Sequence, residues 1–311
     1  MKILIGLSNF SFDTQRFGSF DEIKDQLGKL KRLDGKFSQH GVSLAVANDL
    51  LKDSYFGPSL EMQFQNFSYG GDRMMISAFK SLLERSYFSG FERQYTGLEL
   101  KNLASSPDLE NKTCCTIYAP QVLVSGLACI KCEGDFASYY EQVLGEYPID
   151  EASYYERAIS HFTNVLYHQD CKDTLYRVSD GFCNYSIAIT KCLKALNDSS
   201  PTTTVSTLDK LNEVRAKANY SCTPEGTSHS HFKFSFEHDG QTYPRLDCQF
   251  HLKPSDRNTA GDTSFHHKRI YFGYIPKLGG KEWDIAIASI GPHITTHDSQ
   301  DRYAPLKRKR K

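Results

Sequence analysis

Five residues in the last third of the chain, His251, Lys253, Arg269, Tyr271 and His293, have the types and spacing to break a phosphodiester bond. Cleaving an RNA backbone requires a 2′-hydroxyl to lose a proton, the leaving 5′-oxygen to gain one, and the phosphate's growing charge to meet cations. Histidine, with a pKa near about 6.5, can carry either proton, and Arg or Lys can offset the charge. This chemistry calls for no metal and no other cofactor. Strand alternation sends Gln249, His251 and Lys253 to one face and Cys248, Phe250 and Leu252 to the other. If a strand beginning at Lys268 pairs with it, Arg269 and Tyr271 share the first, accessible face, while Ile270, Phe272 and Tyr274 turn inward. His293 follows Gly291-Pro292, where a strand end meets a turn.

Other groupings compete with this set. His229-x-His231, if extended, directs two imidazoles to one side, with His238, His266 or His267 as further ligands of a zinc ion. Cys129-x-x-Cys132 with His168-x-x-Cys171 matches zinc in number and ligand type, yet positions i and i+3 of a strand face opposite ways. The triplets His161-Phe162-Thr163 and His293-Ile294-Thr295 repeat an H-x-T pattern, but the first falls inside an amphipathic helix. The tail Lys307-Arg308-Lys309-Arg310-Lys311 can gain from counterion release on a phosphate backbone, and reads equally as a solubilising terminus. No G-x-x-x-x-G-K-[ST], H-E-x-x-H or G-x-S-x-G motif occurs, and no glycine-rich turn follows the first strand. A nucleotide-driven motor is excluded on that ground.

The elements that must position these residues follow from periodicity. A strand over Ile3 to Leu7 leads to a helix from Phe20 to Leu33 behind the capping box Ser19-x-x-Glu22. A second helix spans Arg73 to Phe88; the pattern weakens between Glu92 and Pro107, and Cys114 to Cys132 reads as strand. From Glu151, Tyr155, Ile159, Phe162 and Leu166 recur at helical spacing behind a second capping box, Ser153-x-x-Glu156. Helices are expected again at Asn184 to Leu196, with Ile187, Leu193 and Leu196 inward, and at Leu208 to Ala218. Phe232, Phe234 and Phe236 then alternate with polar residues ahead of the hairpin turn Asp239-Gly240. Further strands are expected at Arg245 to Lys253, Lys268 to Ile275 and Trp283 to Ile290, with connections at Gly261 to Thr263 and at Gly279-Gly280.

The chain as a whole is ordinary globular material: 311 residues, 39% hydrophobic, with 37 basic and 37 acidic side chains. Beyond Pro201 the basic excess lies wholly in the five-residue tail, so the histidine-rich module is itself neutral. The longest apolar stretch, Ala119 to Ile130, is far too short to span a bilayer, and no signal peptide is legible at the N-terminus. Nine cysteines, an odd number without an export signal, point to reduced thiols and a cytoplasmic protein. Turn formers between Asp198 and Thr204 mark a boundary. The expected organisation is a mixed α/β domain over 1–198 ending in a helical segment, a linker over 199–207, a β-rich domain over 208–306 and the tail 307–311.

The run Arg269-Ile270-Tyr271-Phe272-Gly273-Tyr274, a short turn, and Ile285 to His293 resemble the closing hairpin of RelE/ParE-type toxins over about the last 70 residues. The resemblance implies a small antiparallel sheet with helices on one side, acting on ribosome-associated messenger RNA or binding gyrase. It carries over Arg269, Tyr271 and His293, whereas His251 and Lys253 rest on strand alternation. Toxins of that group are small, basic and single-domain, unlike this neutral module with its long leading part. The expectation is an α+β protein with an antiparallel C-terminal module that cleaves RNA as a prokaryotic toxin or anti-phage effector. The alternatives are a non-catalytic component binding a partner protein or nucleic acid, and a zinc-dependent hydrolase. The leading domain would serve a partner protein, the module RNA or the ribosome.

Overall fold

The computed structural model describes residues 1–12, 19–37, 40–67, 73–120, 124–178, 181–226, 229–254, 268–277 and 281–304. His266, His267, the two expected glycine connections and the basic tail lie outside them. The fold is α+β, with a parallel sheet in the first part and a largely antiparallel one in the second.

The chain forms two compact units, Met1–Val143 and Leu144–Lys311. The first is built on strands β1 (Lys2–Leu7), β2 (Val42–Val46), β3 (Thr113–Tyr118) and β4 (Cys129–Ile130), all parallel in the order β2-β1-β3-β4. Such strands are covered on both faces and therefore read as nearly unbroken apolar runs; Ile3, Leu4, Ile5 and Leu7 are all buried. Helix α1 (Phe20–Phe37) begins at the expected cap, where the Glu22 N–H donates to the Ser19 hydroxyl at 3.3 Å. Ile23, Leu27, Leu30 and Leu33 then form its buried stripe. Helices α2 (Leu60–Phe67) and α3 (Arg73–Leu82) follow, α3 running into a π-helical turn, Leu83–Tyr87. Helix α4 (Gly97–Ser105) occupies the stretch where periodicity fades. It is started by a full capping box in which Thr96 and Glu99 satisfy each other's backbone amides.

Helix α5 (Glu133–Glu146) carries the division between the units. The expected boundary at 199–207 is thus displaced, because α6 (Glu151–His161), α7 (Asp170–Leu175) and α8 (Ser186–Asn197) belong with the C-terminal strands. The reason is strand β5 (Val165–Tyr167), which pairs in parallel with the last strand of the chain. Helix α6 is capped by Asp150 rather than by Ser153, and it ends before Phe162. Its buried positions are Tyr154 and Ala158, one residue ahead of the stripe expected from sequence. In α8, Leu193 and Leu196 are buried as expected, while Ile187 stays exposed.

After α9 (Thr207–Ala218) the C-terminal sheet is assembled from β6 (Cys222–Pro224), β9 (Phe250–Leu252), β10 (Lys268–Pro276) and β11 (Trp283–Pro292). Its order is β5-β11-β10-β9-β6, antiparallel apart from β5. Strands β7 (Lys233–His238) and β8 (Gln241–Asp247) form a separate hairpin, closed by Asp239 and Gly240 with φ of 50° and 73°, the pair of positive values a tight turn needs. The hairpin's Phe234 and Phe236, with Phe232 ahead of it, pack on Cys248, Tyr271, Ile275, Ala286 and Ala288. One face of the sheet is thereby roofed. A Cβ on Gly273 would collide with the Asp247 carbonyl, so this glycine is what lets the chain pass from β8 to β9 so close above β10.

Candidate active site

The register of the sheet brings the predicted residues together. Thr223 on β6 lies opposite His251 on β9, and His251 opposite Tyr271 on β10, so three side chains form one row across three strands. Arg269 pairs with Gly291 and Lys268 with Pro292, which places His293 just past the end of β11, its ring 6.1 Å from that of Tyr271. The expected pairing of the two strands is therefore present, and His251, Arg269, Tyr271 and His293 belong to one cluster.

The accessibility expected of that face is not. His251 is 4%, Arg269 7% and Tyr271 0% exposed, whereas His293 keeps 29% of its side-chain surface and Lys253 is half-buried. For Tyr271 the correction has a physical cause: Phe232 and the phenylalanines of the β7–β8 hairpin pack on the face that alternation alone assigns to solvent. A second departure is that the strand breaks at Cys248-Gln249, so the alternation carried through it fails. Cys248 consequently packs in the same cluster as Tyr271 instead of opposite to it.

At the centre of the cluster is Glu225, which follows β6 and whose N–H is held by the Gln249 carbonyl at 2.9 Å. The Tyr271 hydroxyl donates to Glu225 Oε1 at 2.8 Å. His251 Nδ1 lies 3.3 Å and His293 Nε2 3.6 Å from the same oxygen. On its other side His251 Nε2 meets the Thr223 hydroxyl at 3.2 Å. Sequence reasoning missed Glu225 because it stands beyond a three-residue strand, outside any periodic pattern. A carboxylate beside the first strand of a histidine-bearing sheet was the only available signal.

Burial, then the charges of Arg269 and Lys253 and the neighbouring His293, push the His251 imidazole down to about 3. His251 is therefore neutral at pH 7, and its 3.3 Å approach to Glu225 is a polar contact, not an ion pair. Tyr271 is pushed far up by burial and by the Glu225 carboxylate, so it remains a hydrogen-bond donor throughout the physiological range. Arg269 is anchored through Nη1 to the Lys268 carbonyl at 2.7 Å. Glu225 and His293 keep 19% and 29% of their side-chain surfaces, so with the half-buried Lys253 they are the partly accessible proton-carrying groups around His251.

The metal readings find other partners. His231 Nδ1 bonds the Thr295 carbonyl at 2.6 Å, His238 Nε2 meets Asp284 at 2.8 Å, and His168 Nδ1 lies 3.3 Å from Asp170. Among the described residues no group of three His, Cys, Asp or Glu side chains is arranged to hold a metal ion. No disulfide forms among them either, all nine cysteines included. His161 closes helix α6, so the two H-x-T triplets lie on unlike elements, a helix end and a strand end. No helix among the described residues is long and apolar enough to cross a membrane. Comparison of the chain with family models, curated proteins and solved structures gives no match.

Proposed function

We propose that the C-terminal unit is a metal-independent ribonuclease of toxin or anti-phage type, working on cytoplasmic RNA. The observation that carries this reading is the Glu225–His293 pair, 3.6 Å apart and partly open to solvent, backed by Tyr271 at 2.8 Å and by the charge of Arg269. Glu225 and His293 act as one proton-accepting unit toward the 2′-hydroxyl. The 2′-oxygen attacks phosphorus, the bond to the 5′-oxygen breaks, and the products are a 2′,3′-cyclic phosphate and a 5′-hydroxyl. Arg269 stabilises the charge on the phosphate, and the half-exposed Lys253 returns a proton to the leaving oxygen. His251, neutral and hydrogen-bonded, is a positioning residue. The tail Lys307 to Lys311 adds sequence-independent attraction to the polyanion, and the likeness to RelE/ParE-type toxins makes ribosome-associated messenger RNA the first substrate to try.

The reading is tested by incubating the full chain and its Glu225→Gln and His293→Ala variants with RNA in the presence of EDTA and assaying cyclic phosphate ends. Each substitution is expected to lower the rate by about 10²-fold or more. Cleavage that survives both at the wild-type rate sinks the assignment. The deep burial of His251 and Tyr271 supports a second reading, a non-catalytic component whose buried polar row stabilises a surface for a protein or nucleic-acid partner. RNA bound but left intact by wild-type protein selects that second reading.

A further inference from the structure

The strand ends of the N-terminal unit present a different kind of site. In open parallel sheets ligands collect at the carboxyl ends of the strands, where the backbone turns away and leaves a crevice. At β1 that position is closed. Ser8, Asn9 and Ser11 are buried, the Ser8 N–H donates to the Ser11 hydroxyl at 3.2 Å, and the Phe10 N–H donates to the Ser8 hydroxyl at 3.3 Å. The Asn9 N–H goes to Asp53 at 3.3 Å and its carboxamide donates to the Pro58 carbonyl at 3.0 Å. Among the described residues after β1, the amides of Ser8, Asn9, Phe10 and Ser11 are all engaged inside the protein.

At β2 the carboxyl end opens into a cavity of about 450 Å³. Its floor includes Val46, Leu50, Leu83 and Phe88, all buried, and its rim carries Lys52 and Arg93, both exposed. The opposite wall is the π-helical turn, an irregularity that recurs at functional sites because it displaces side chains from the helical pattern. Arg93 is preset by that turn: its Nη2 donates to the Glu84 carbonyl at 3.1 Å, and its guanidinium stands 6.0 Å from the centre of the Phe88 ring. Acceptors also line the cavity. Glu84 and Asn48 stand on its exposed edge, while Asp49 is drawn inward by the Gly97 N–H at 2.8 Å.

We propose that this cavity binds a mononucleotide. An apolar floor, hydroxyl acceptors and two cations match a heteroaromatic ring, a ribose and a single phosphate, in a cavity within the usual size range for small ligands. The ring lies over Leu50 and Leu83, the ribose hydroxyls donate to Asn48 and Glu84, and the phosphate is held between Lys52 and Arg93. Among the described residues the closed end of β1 offers no second phosphate cradle, which favours a mononucleotide over a dinucleotide. The site stands independently of the ribonuclease reading.

Calorimetric titration with AMP tests it, on the full chain carrying Glu225→Gln and His293→Ala so that the other unit cannot contribute heat through its cluster. One AMP is expected to bind per chain. Lys52→Ala and Arg93→Ala are each expected to weaken binding about tenfold, the worth of one charge-assisted hydrogen bond. Adenosine is expected to bind more weakly than AMP and to be indifferent to both substitutions. Because both side chains are exposed, the variants keep the fold. Absence of AMP binding up to about 1 mM, the weak end of the affinity range, overturns the proposal. AMP binding that is unchanged in both variants overturns it equally.

Discussion

The two units place their polar side chains in opposite ways. In the N-terminal unit the parallel strands are buried on both faces, so Ser8, Asn9, Ser11 and Asp53 gather beyond the strand ends and hydrogen-bond one another or the backbone. In the C-terminal unit Thr223, His251 and Tyr271 stand in a row across three adjacent antiparallel strands, with Glu225 and His293 beside it. A sheet covered by helices keeps chemistry at its rim, whereas a sheet roofed by a hairpin can hold a polar row under the roof and lead it to the surface.

The largest effect expected from this contrast concerns His251. Its folded value near 3 lies below the ordinary value of about 6.5 in the unfolded chain. Between these limits the unfolded chain takes up a proton that the folded one does not. Stability attributable to this residue is therefore intact above about pH 6.5 and is lost as pH falls toward 3, at up to about 1.4 kcal/mol per pH unit. Urea titrations at several pH values should show a steeper acid loss for wild type than for His251→Gln. Parallel curves would mean that the imidazole is not buried neutral, and the contrast would weaken.

Next in size is Gly291, whose φ is 148° and whose absent Cβ would collide with the Thr174 carbonyl of α7. Gly291→Ala is expected to cost on the order of 3 kcal/mol through strain and overpacking. RNA cleavage should fall with it, since this contact fixes the strand end that presents His293. A variant as stable as wild type would show that β11 does not need so close an approach.

In the first unit, Asp53→Ala removes the acceptor of the Asn9 and Tyr55 amides and is expected to cost roughly 1–3 kcal/mol. Burial holds the Asp53 carboxyl above its usual range, with the two amides opposing that shift. Cleavage measured at a temperature where the variant is folded should be unaffected. A rate loss there would break the assignment of chemistry to the second unit alone. The smallest effect is at α4, where Thr96→Ala removes the capping box for about 1 kcal/mol. A thermal melt detects it as a small downward shift with no change in cleavage.

Much of this was legible in local patterns. The cap at Ser19 and the stripe from Ile23 to Leu33 mark α1, the Asp239-Gly240 turn marks the β7–β8 hairpin, and alternation pairs His251 with Tyr271. Helix α4 escaped because its signal is a capping box and not an apolar period. In α6 the cap lies at Asp150, and the buried stripe is offset by one residue, since Tyr154 rather than Tyr155 faces the core. In α6, two local signals compete and packing chooses.

The sequence by itself determined which residue types are available and which neighbours share a strand face, because those follow from a two-residue repeat along one segment. It also determined α+β character and a histidine-bearing C-terminal sheet. Only tertiary structure decided that β5, more than 100 residues upstream, joins β11 and moves the boundary of the unit. Tertiary structure likewise roofed the His251–Tyr271 face with the phenylalanines of a hairpin and brought Glu225 into contact with both histidines. The physical reason is common to all three: pairing and burial depend on contacts between segments distant in sequence, and no local period records which segment will cover which.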